Sequence, residues 1–387
     1  MKEATVDSPI ATLNGFEAER ERSIAHAPAM QVERITTLAA FDAERARWEE
    51  LQDADPHVSV FMTWAWLRAY LPVARMRWSI LVVREGGAAI AYLPLAHNGF
   101  FLDRELFLGG NPAADYAGMV ALPARADAAI QALADALLAR RWDGLNLLDV
   151  SDPRIETLVN RLVERGLRLE SREETPCRWC ELPATWDEYI TKRITAKTRI
   201  NMVRVERRLA EALPGFRISE PTGADVDAHV DAMVTVHHKR QGGNLKRAHR
   251  RVGSLLRNAY ATGVLRLIIY WDGTRPIAGA AAFVDQPRSY FGLYIIGFDE
   301  DYDKLSPGKG IIGRAIRTAI ESGYKRFDFM RGDEEYKARY ADEVHVLQQY
   351  RLARPGWRAG AIAYLRPKFF DLKLAVANMV YGPGRTL

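Results

Sequence analysis

Apolar residues along the chain alternate between helical and strand spacing. Over 127–140, Ile130, Leu133, Leu137 and Leu138 fall on one face of a helix. Helices are likewise predicted over 41–51, over 61–70 with Trp64, Trp66 and Tyr70, and over 155–165. The last opens at Asp152-Pro153 and ends at Gly166. Between them a hairpin joins 78–84 to 88–95 through Glu85-Gly86-Gly87. Further strands are expected at 105–108, 116–121, 142–150 and 167–182.

The second half repeats this order. Helices are predicted over 186–213, 224–241 and 255–262. A hairpin, 264–271 with 276–284, turns at Asp272-Gly273, and a strand follows over 289–297. Ser306-Pro307-Gly308 opens a helix over 311–322, and strands close the pattern at 326–330 and 344–353. The same order appearing twice is most economically a structural duplication. It rests on element order alone, because the halves share no visible sequence similarity.

A chain of 387 residues suits two domains of ordinary size. Residues 1–34 mix charges without an apolar core, so they read as a flexible leader and not as a signal peptide. No run of eighteen apolar residues exists to span a membrane. The two cysteines, Cys177 and Cys180, are spaced C-x-x-C within a strand. Positions i and i+3 of a strand face opposite sides, so no joint redox or zinc site is expected. So few cysteines fit a reducing, cytoplasmic compartment.

The net charge of +5 matters only where it is concentrated. Segment 192–208 carries seven basic residues against one acid, Glu206. Segment 237–251 holds Lys239, Arg240, Lys246, Arg247, Arg250 and Arg251 with no acid at all. Such runs are either solvated helix faces or contacts for an anionic partner: a coenzyme phosphate, an acidic or lipid-diphosphate-linked glycan, or RNA. The second run joins a helix to a glycine break, Gly242-Gly243, and could fold over a cleft, which makes His238, Arg240 and Lys246 candidates for substrate contact. His237 and His238 point about 100° apart on a helix, so only one can face a site. His237 is a candidate base.

The densest chemistry lies in 289–340. The strand over 289–297 ends in a glycine and leads through a polar loop to Ser306-Pro307-Gly308-Lys309-Gly310 and a helix. Unpaired N–H groups and the positive dipole end at that helix start suit a pyrophosphate, with Lys309 and Arg314 adding charge. A strand then runs into Asp328, Arg331, Asp333, Glu334, Tyr336 and Lys337. A polar cluster at a strand end beside a helix N-terminus is where an open sheet keeps its site.

The run S-P-G-x-G followed by F-D-F-M-R-G-D-E-x-Y-K-x-R-Y resembles the CelD/BcsL family of GNAT-like acetyltransferases, found with bacterial cellulose and exopolysaccharide systems. It shows wider kinship with Fem-type aminoacyltransferases, which pair two GNAT folds. The resemblance implies an α/β (α+β) chain of two tandem GNAT folds. An N-terminal domain over 35–182 would lack the cofactor loop, a C-terminal domain over 183–365 would hold an acyl-CoA, and a tail would occupy 366–387. GNAT enzymes usually carry Q/R-x-x-G-x-G/A at the phosphate loop, from which Ser306–Gly310 departs.

On this reading the chain is an acyltransferase using acetyl-CoA or another acyl-CoA and no metal. It acts on an amino or hydroxyl group of an exopolysaccharide or its precursor. The partners implied are a small-molecule or glycan acceptor and a peripheral contact with a polysaccharide synthase, but no DNA. Acyl transfer needs a base, a donor to the carbonyl oxygen and an acid for the leaving thiolate. Asp333 or Glu334 would be the base and Tyr336 the acid. Tyr294 and Ile296 would hold the thioester, with Ser306, Gly308, Lys309, Gly310 and Arg314 on the phosphates. His238, Arg240, Lys246, Asp328, Arg331 and Lys337 would contact the acceptor. A Fem-like aminoacyl-tRNA-dependent transferase and a non-enzymatic glycan scaffold remain the alternatives.

Overall fold

The structure is a computed structural model that describes residues 30–100, 103–241 and 249–355. The first strand, β1 (Met30–Ile35), pairs antiparallel with β2 (Arg77–Glu85) and so begins within the stretch expected as a leader. Edge pairing gives this polar segment backbone partners, and Ile35 is buried. Two short helices, α1 (Leu38–Ala43) and α2 (Arg45–Ala54), replace the one expected over 41–51. α3 (Trp64–Tyr70) starts where the Thr63 hydroxyl accepts the Trp66 N–H at 3.2 Å. Gly86 and Gly87, both at positive φ, turn β2 into β3 (Ala88–Phe100). The half continues through β4 (Asp103–Leu108), β5 (Val120–Ala121), α4 (Ala126–Leu138), β6 (Gly144–Val150), α5 (Arg154–Glu164) and β7 (Arg168–Glu181).

The second half runs α6 (Ala196–Ala212), β8 (Phe216–Ser219), α7 (Val226–Gln241), α8 (Ser254–Ala261), β9 (Leu265–Asp272), β10 (Arg275–Asp285) and β11 (Tyr290–Phe298). It closes with α9 (Pro307–Glu321), β12 (Arg326–Arg331) and β13 (Glu343–Ala353). The helix expected over 186–213 breaks at Ile194, which is extended, before α6 begins. Strand β8 was not foreseen.

The strands join in one sheet, ordered β1-β2-β3-β4-β6-β13-β7-β12-β11-β10-β9-β8, with β5 on β3. Its centre departs from chain order. β7 ends the first half yet pairs with β12, while β13 ends the second half yet pairs with β6. The halves therefore exchange their last strands, and a boundary at 182 divides the chain but not the sheet. Cys177 and Cys180 on β7 are buried in different apolar layers, on opposite faces as strand alternation requires. Burial pushes both thiols up to about 12.

The duplication is written into the backbone. In each half one parallel pair forms, β4 with β6 and β11 with β12. In each, the later strand is irregular against its antiparallel neighbour, β6 against β13 and β12 against β7. The residues at those irregularities, Asp149 and Met330, take the same left-handed conformation, at φ 54° and 60°. Non-glycine residues rarely adopt it.

One face of the second half's sheet carries Phe291, Phe327 and Phe329 under α6 and α9. The other carries Phe283 and Met330 under α7, α8 and the aromatic residues of α3. No helix among the described residues is long and apolar enough to cross a membrane.

Candidate active site

β11 and β12 pair only from Tyr290–Arg326 to Gly292–Asp328. Beyond that point β11 continues on β10 alone, and the two strands part. Within the parted stretch the register of β10 on β11 slips, with Ala281 opposite Ile295 and Ala282 opposite Leu293. Tyr294 is the extra residue of a bulge and stands outside the ladder. Its ring packs against Phe283, with centroids 4.5 Å apart.

The equivalent opening in the first half is filled. After β4 leaves β3, residues 117–121 take its place. β5 pairs with Ala91 and Tyr92, and Ala117 bridges to Val150. Two buried carboxylates pin the segment: Asp55 accepts the Ala121 N–H at 2.9 Å and Asp152 accepts the Met119 N–H at 3.2 Å. A Cβ on Gly118 would stand 2.7 Å from that of Asp152, so the chain can pass only as glycine.

This plug carries Asp115 and Tyr116 across to the second half. The Tyr116 hydroxyl donates to Asp328 Oδ1 at 2.7 Å. Asp115, 13% exposed, faces Arg331, whose N–H lies 3.4 Å from its Oδ2 and whose Nε lies 3.9 Å from its Oδ1. Arg331 also binds Asp149 Oδ2 at 2.7 Å, while Asp149 Oδ1 is buried with no partner among the described residues. Burial pushes the Asp115 carboxyl up to about 6 against the pull of the Arg331 charge. Burial also raises the Tyr294 hydroxyl, and the charge of Asp115 adds to it. A half-buried acid titrating near 6 beside a strand splay is the group best suited to accept a proton at neutral pH.

Most of the residues singled out from sequence lie elsewhere. Asp333, 44% exposed, pairs with Arg178 of β7 at 2.6 Å, and Glu334 pairs with Lys337 at 2.7 Å. Neither reaches the splay, because the positive φ of Gly332 turns the chain towards β7. Lys337 is buried, and its Nζ donates to the carbonyls of Arg331 and Gly332, so it ties down the end of β12 instead of meeting an acceptor. Asp328 is fully buried and satisfied by Tyr116, the Met330 N–H and Arg326. Tyr336 packs beside Phe329 on the α6–α9 face.

The helix start after β11 is present, with Ser306 in the left-handed region before Pro307. The Ser306 carbonyl takes the Lys309 N–H at 3.0 Å, and Lys309 itself is exposed. The glycines, however, are accounted for by packing. A Cβ on Gly308 would meet the Phe298 ring at 2.8 Å, and one on Gly310 would meet Val205 of α6 at 2.6 Å. Arg314 is turned away from the helix start and pairs with Glu206 of α6. His237 Nδ1 lies 3.2 Å from the Ile296 carbonyl, so that nitrogen carries the proton. His238 is half-buried, and Lys239 of the basic run pairs with Asp299 at 2.7 Å. Lys246, the side chain of Arg240 and the tail 366–387 lie outside the described residues.

On the same face as Asp328, at the start of β11 and β12, lies a cavity of about 750 Å³ between the halves. Tyr116, Trp179, Tyr290, Arg326, His345 and His57 line it. Arg326 lies over the Trp179 ring at 4.0 Å. Burial holds the His345 imidazole below its ordinary range, which favours its neutral form.

Residues 196–338 match the family described as Acetyltransferase (GNAT) domain. The second half is thus an acyltransferase domain, and the match spans α6 to the loop after β12. The chain is similar in fold to FemX, with a TM-score of 0.56 at 9% identity over 82% of this chain and 96% of that one. It is similar to a tandem GNAT protein from the clavulanic acid biosynthesis pathway, with a TM-score of 0.51 at 11% identity over 84% and 100%. It is similar also to L-PGS from Bacillus licheniformis, with a TM-score of 0.52 at 10% identity over 86% and 96%. The architecture is that of the tandem GNAT proteins. No curated protein matches the chain.

Proposed function

We propose that the protein transfers an acyl group from a coenzyme A thioester to a nucleophile at the β11–β12 splay, with Asp115 of the first half as the base. The observation that carries this reading is the meeting of Asp115, at about 6, with the parted strands and the bulge at Tyr294. The thioester, when bound, supplies an activated carbonyl. The Tyr294 N–H, freed by the bulge, is placed to hold the carbonyl oxygen. The Gly308 N–H at the start of α9 and the exposed Lys309 side chain suit the phosphates. Asp115 takes the proton of the attacking group, the thioester C–S bond breaks as the new acyl bond forms, and coenzyme A leaves as a thiolate that solvent protonates; Arg331 keeps Asp115 ionised in a half-buried place. The plugged first half has no room for a second coenzyme at the matching position, so its part is to supply the base and one wall.

The cavity at Trp179 and Arg326 is our site for the body of the acceptor. Its aromatic and polar lining suits a hydroxylated molecule, and the CelD/BcsL resemblance supports a glycan, an exopolysaccharide or its precursor. The likeness in fold to FemX favours one rival, a Fem-like aminoacyl-tRNA donor. Thermal shifts with acetyl-CoA, a longer acyl-CoA and tRNA in parallel separate them. Acyl-CoA at a hundred times its dissociation constant should stabilise by about 2.7 kcal/mol. A shift with tRNA alone selects the rival, and no shift with either leaves a non-enzymatic scaffold.

A further inference from the structure

We propose that the outer face of α6 docks on a membrane surface carrying anionic lipid. This goes beyond the acyl-transfer reading and does not depend on it. The inner face of α6 is fixed: Met202, Val205 and Leu209 are buried, and a Cβ on Gly310 of α9 would collide with Val205. At the opposite pole Ile200 and Val203 are 44% and 46% exposed. Two branched aliphatic side chains one turn apart thus stand nearly half exposed, with no cover among the described residues.

Cations surround them. Lys197, Arg204 and Arg208 are exposed, and among the described residues no carboxylate lies within ion-pair distance of them. Arg207 pairs with Glu211 one turn on, at 3.5 Å. Of the two acids of α6, Glu211 is exposed beside Arg207 and Glu206 is turned inward to Arg314. A helix with bare aliphatics at its pole and unpaired cations on its flank matches a bilayer interface. The aliphatics enter the acyl boundary while the long basic side chains stay among the headgroups. A nucleic acid would neutralise the cations but leave Ile200 and Val203 against a phosphate backbone. The helix is already folded, with the Thr195 hydroxyl accepting the Thr198 N–H at 3.2 Å, so docking incurs no cost of helix formation.

The test is co-sedimentation of the full chain with vesicles of phosphatidylcholine, with and without phosphatidylglycerol. The parent should bind only the anionic vesicles, and more weakly as salt rises. Ile200→Ser/Val203→Ser should weaken binding at least tenfold. Lys197→Gln/Arg204→Gln/Arg208→Gln should weaken it roughly a hundredfold, at about fivefold per cation. Melting temperatures and acetyl-CoA shifts equal to the parent's would show that both variants are folded. The proposal is overturned if the parent ignores anionic vesicles at low salt, or if both variants partition as the parent does. It is equally overturned if an RNA oligonucleotide binds this face with the same loss in the cation variant and none in Ile200→Ser/Val203→Ser while vesicle binding is unchanged.

Discussion

Asp115 and Arg331 belong to opposite halves of the chain and meet where β11 and β12 part, the Arg331 Nε lying 3.9 Å from Asp115 Oδ1. Arg331 is the counter-charge for Asp149 as well. Its guanidinium lowers both carboxyls while burial raises them. Arg331→Met should therefore let both rise further, and the acidic limb of kcat/KM should move to higher pH. A pH–rate profile checks this, and an unmoved limb would detach Arg331 from the base.

Asp328 ties the halves together from below. It is fully buried and accepts from Tyr116 at 2.7 Å and from the Met330 N–H at 2.8 Å. Asp328→Ala leaves those donors without partners and should destabilise by about 2–5 kcal/mol. Tyr116→Phe should cost about 1–3 kcal/mol for the same reason. Urea denaturation measures both, and a smaller loss for Asp328→Ala than for Tyr116→Phe would contradict the arrangement.

Gly310→Ala should act through packing. Its Cβ would press on Val205, forcing α6 and α9 apart at a cost of about 1–3 kcal/mol. Isothermal titration on the folded variant should find acetyl-CoA affinity within a few fold of the parent. A hundredfold loss of affinity with an unchanged melting temperature would return this glycine to the phosphate site.

Asp333→Asn removes a surface ion pair of a kind that contributes less than about 1 kcal/mol, and should keep near-parental turnover and melting temperature. Glu334→Gln takes the counter-charge from the buried Lys337, so it should lower the melting temperature while turnover stays near-parental. A large fall in kcat for either would restore the strand-end cluster as the source of the base.

The order of elements was legible because Gly86-Gly87, Asp272-Gly273 and Ser306-Pro307 punctuate clear periods. The exchange of β7 and β13 was not, since pairing between distant strands leaves no mark on local spacing. Gly308 and Gly310 looked like an anion cradle, yet a small residue at a helix contact reads the same in sequence. Asp333 and Glu334 drew attention by density, and only geometry shows Arg178 and Lys337 holding them. Nothing in the local sequence marks Asp115 itself, whose own half lacks a cofactor loop. It lies 216 residues from Arg331 along the chain, and only the plug brings them together. Gly118, three positions on, was the signal available: a lone glycine inside a predicted strand marks a close backbone approach.

The central claim is that the half without a coenzyme site provides the base for the half that has one. The direct measurement is the pH dependence of kcat/KM for acetyl-CoA-dependent transfer in the parent and in Asp115→Asn, with coenzyme affinity followed alongside. Below about 6 the Asp115 carboxyl holds its proton and cannot accept another, so parental activity should fall as pH drops through that value. Asp115→Asn should lose on the order of a hundredfold or more in kcat, lose that limb, and bind acetyl-CoA as the parent does. An Asp115→Asn enzyme with parental turnover and an intact limb near pH 6 would contradict the account.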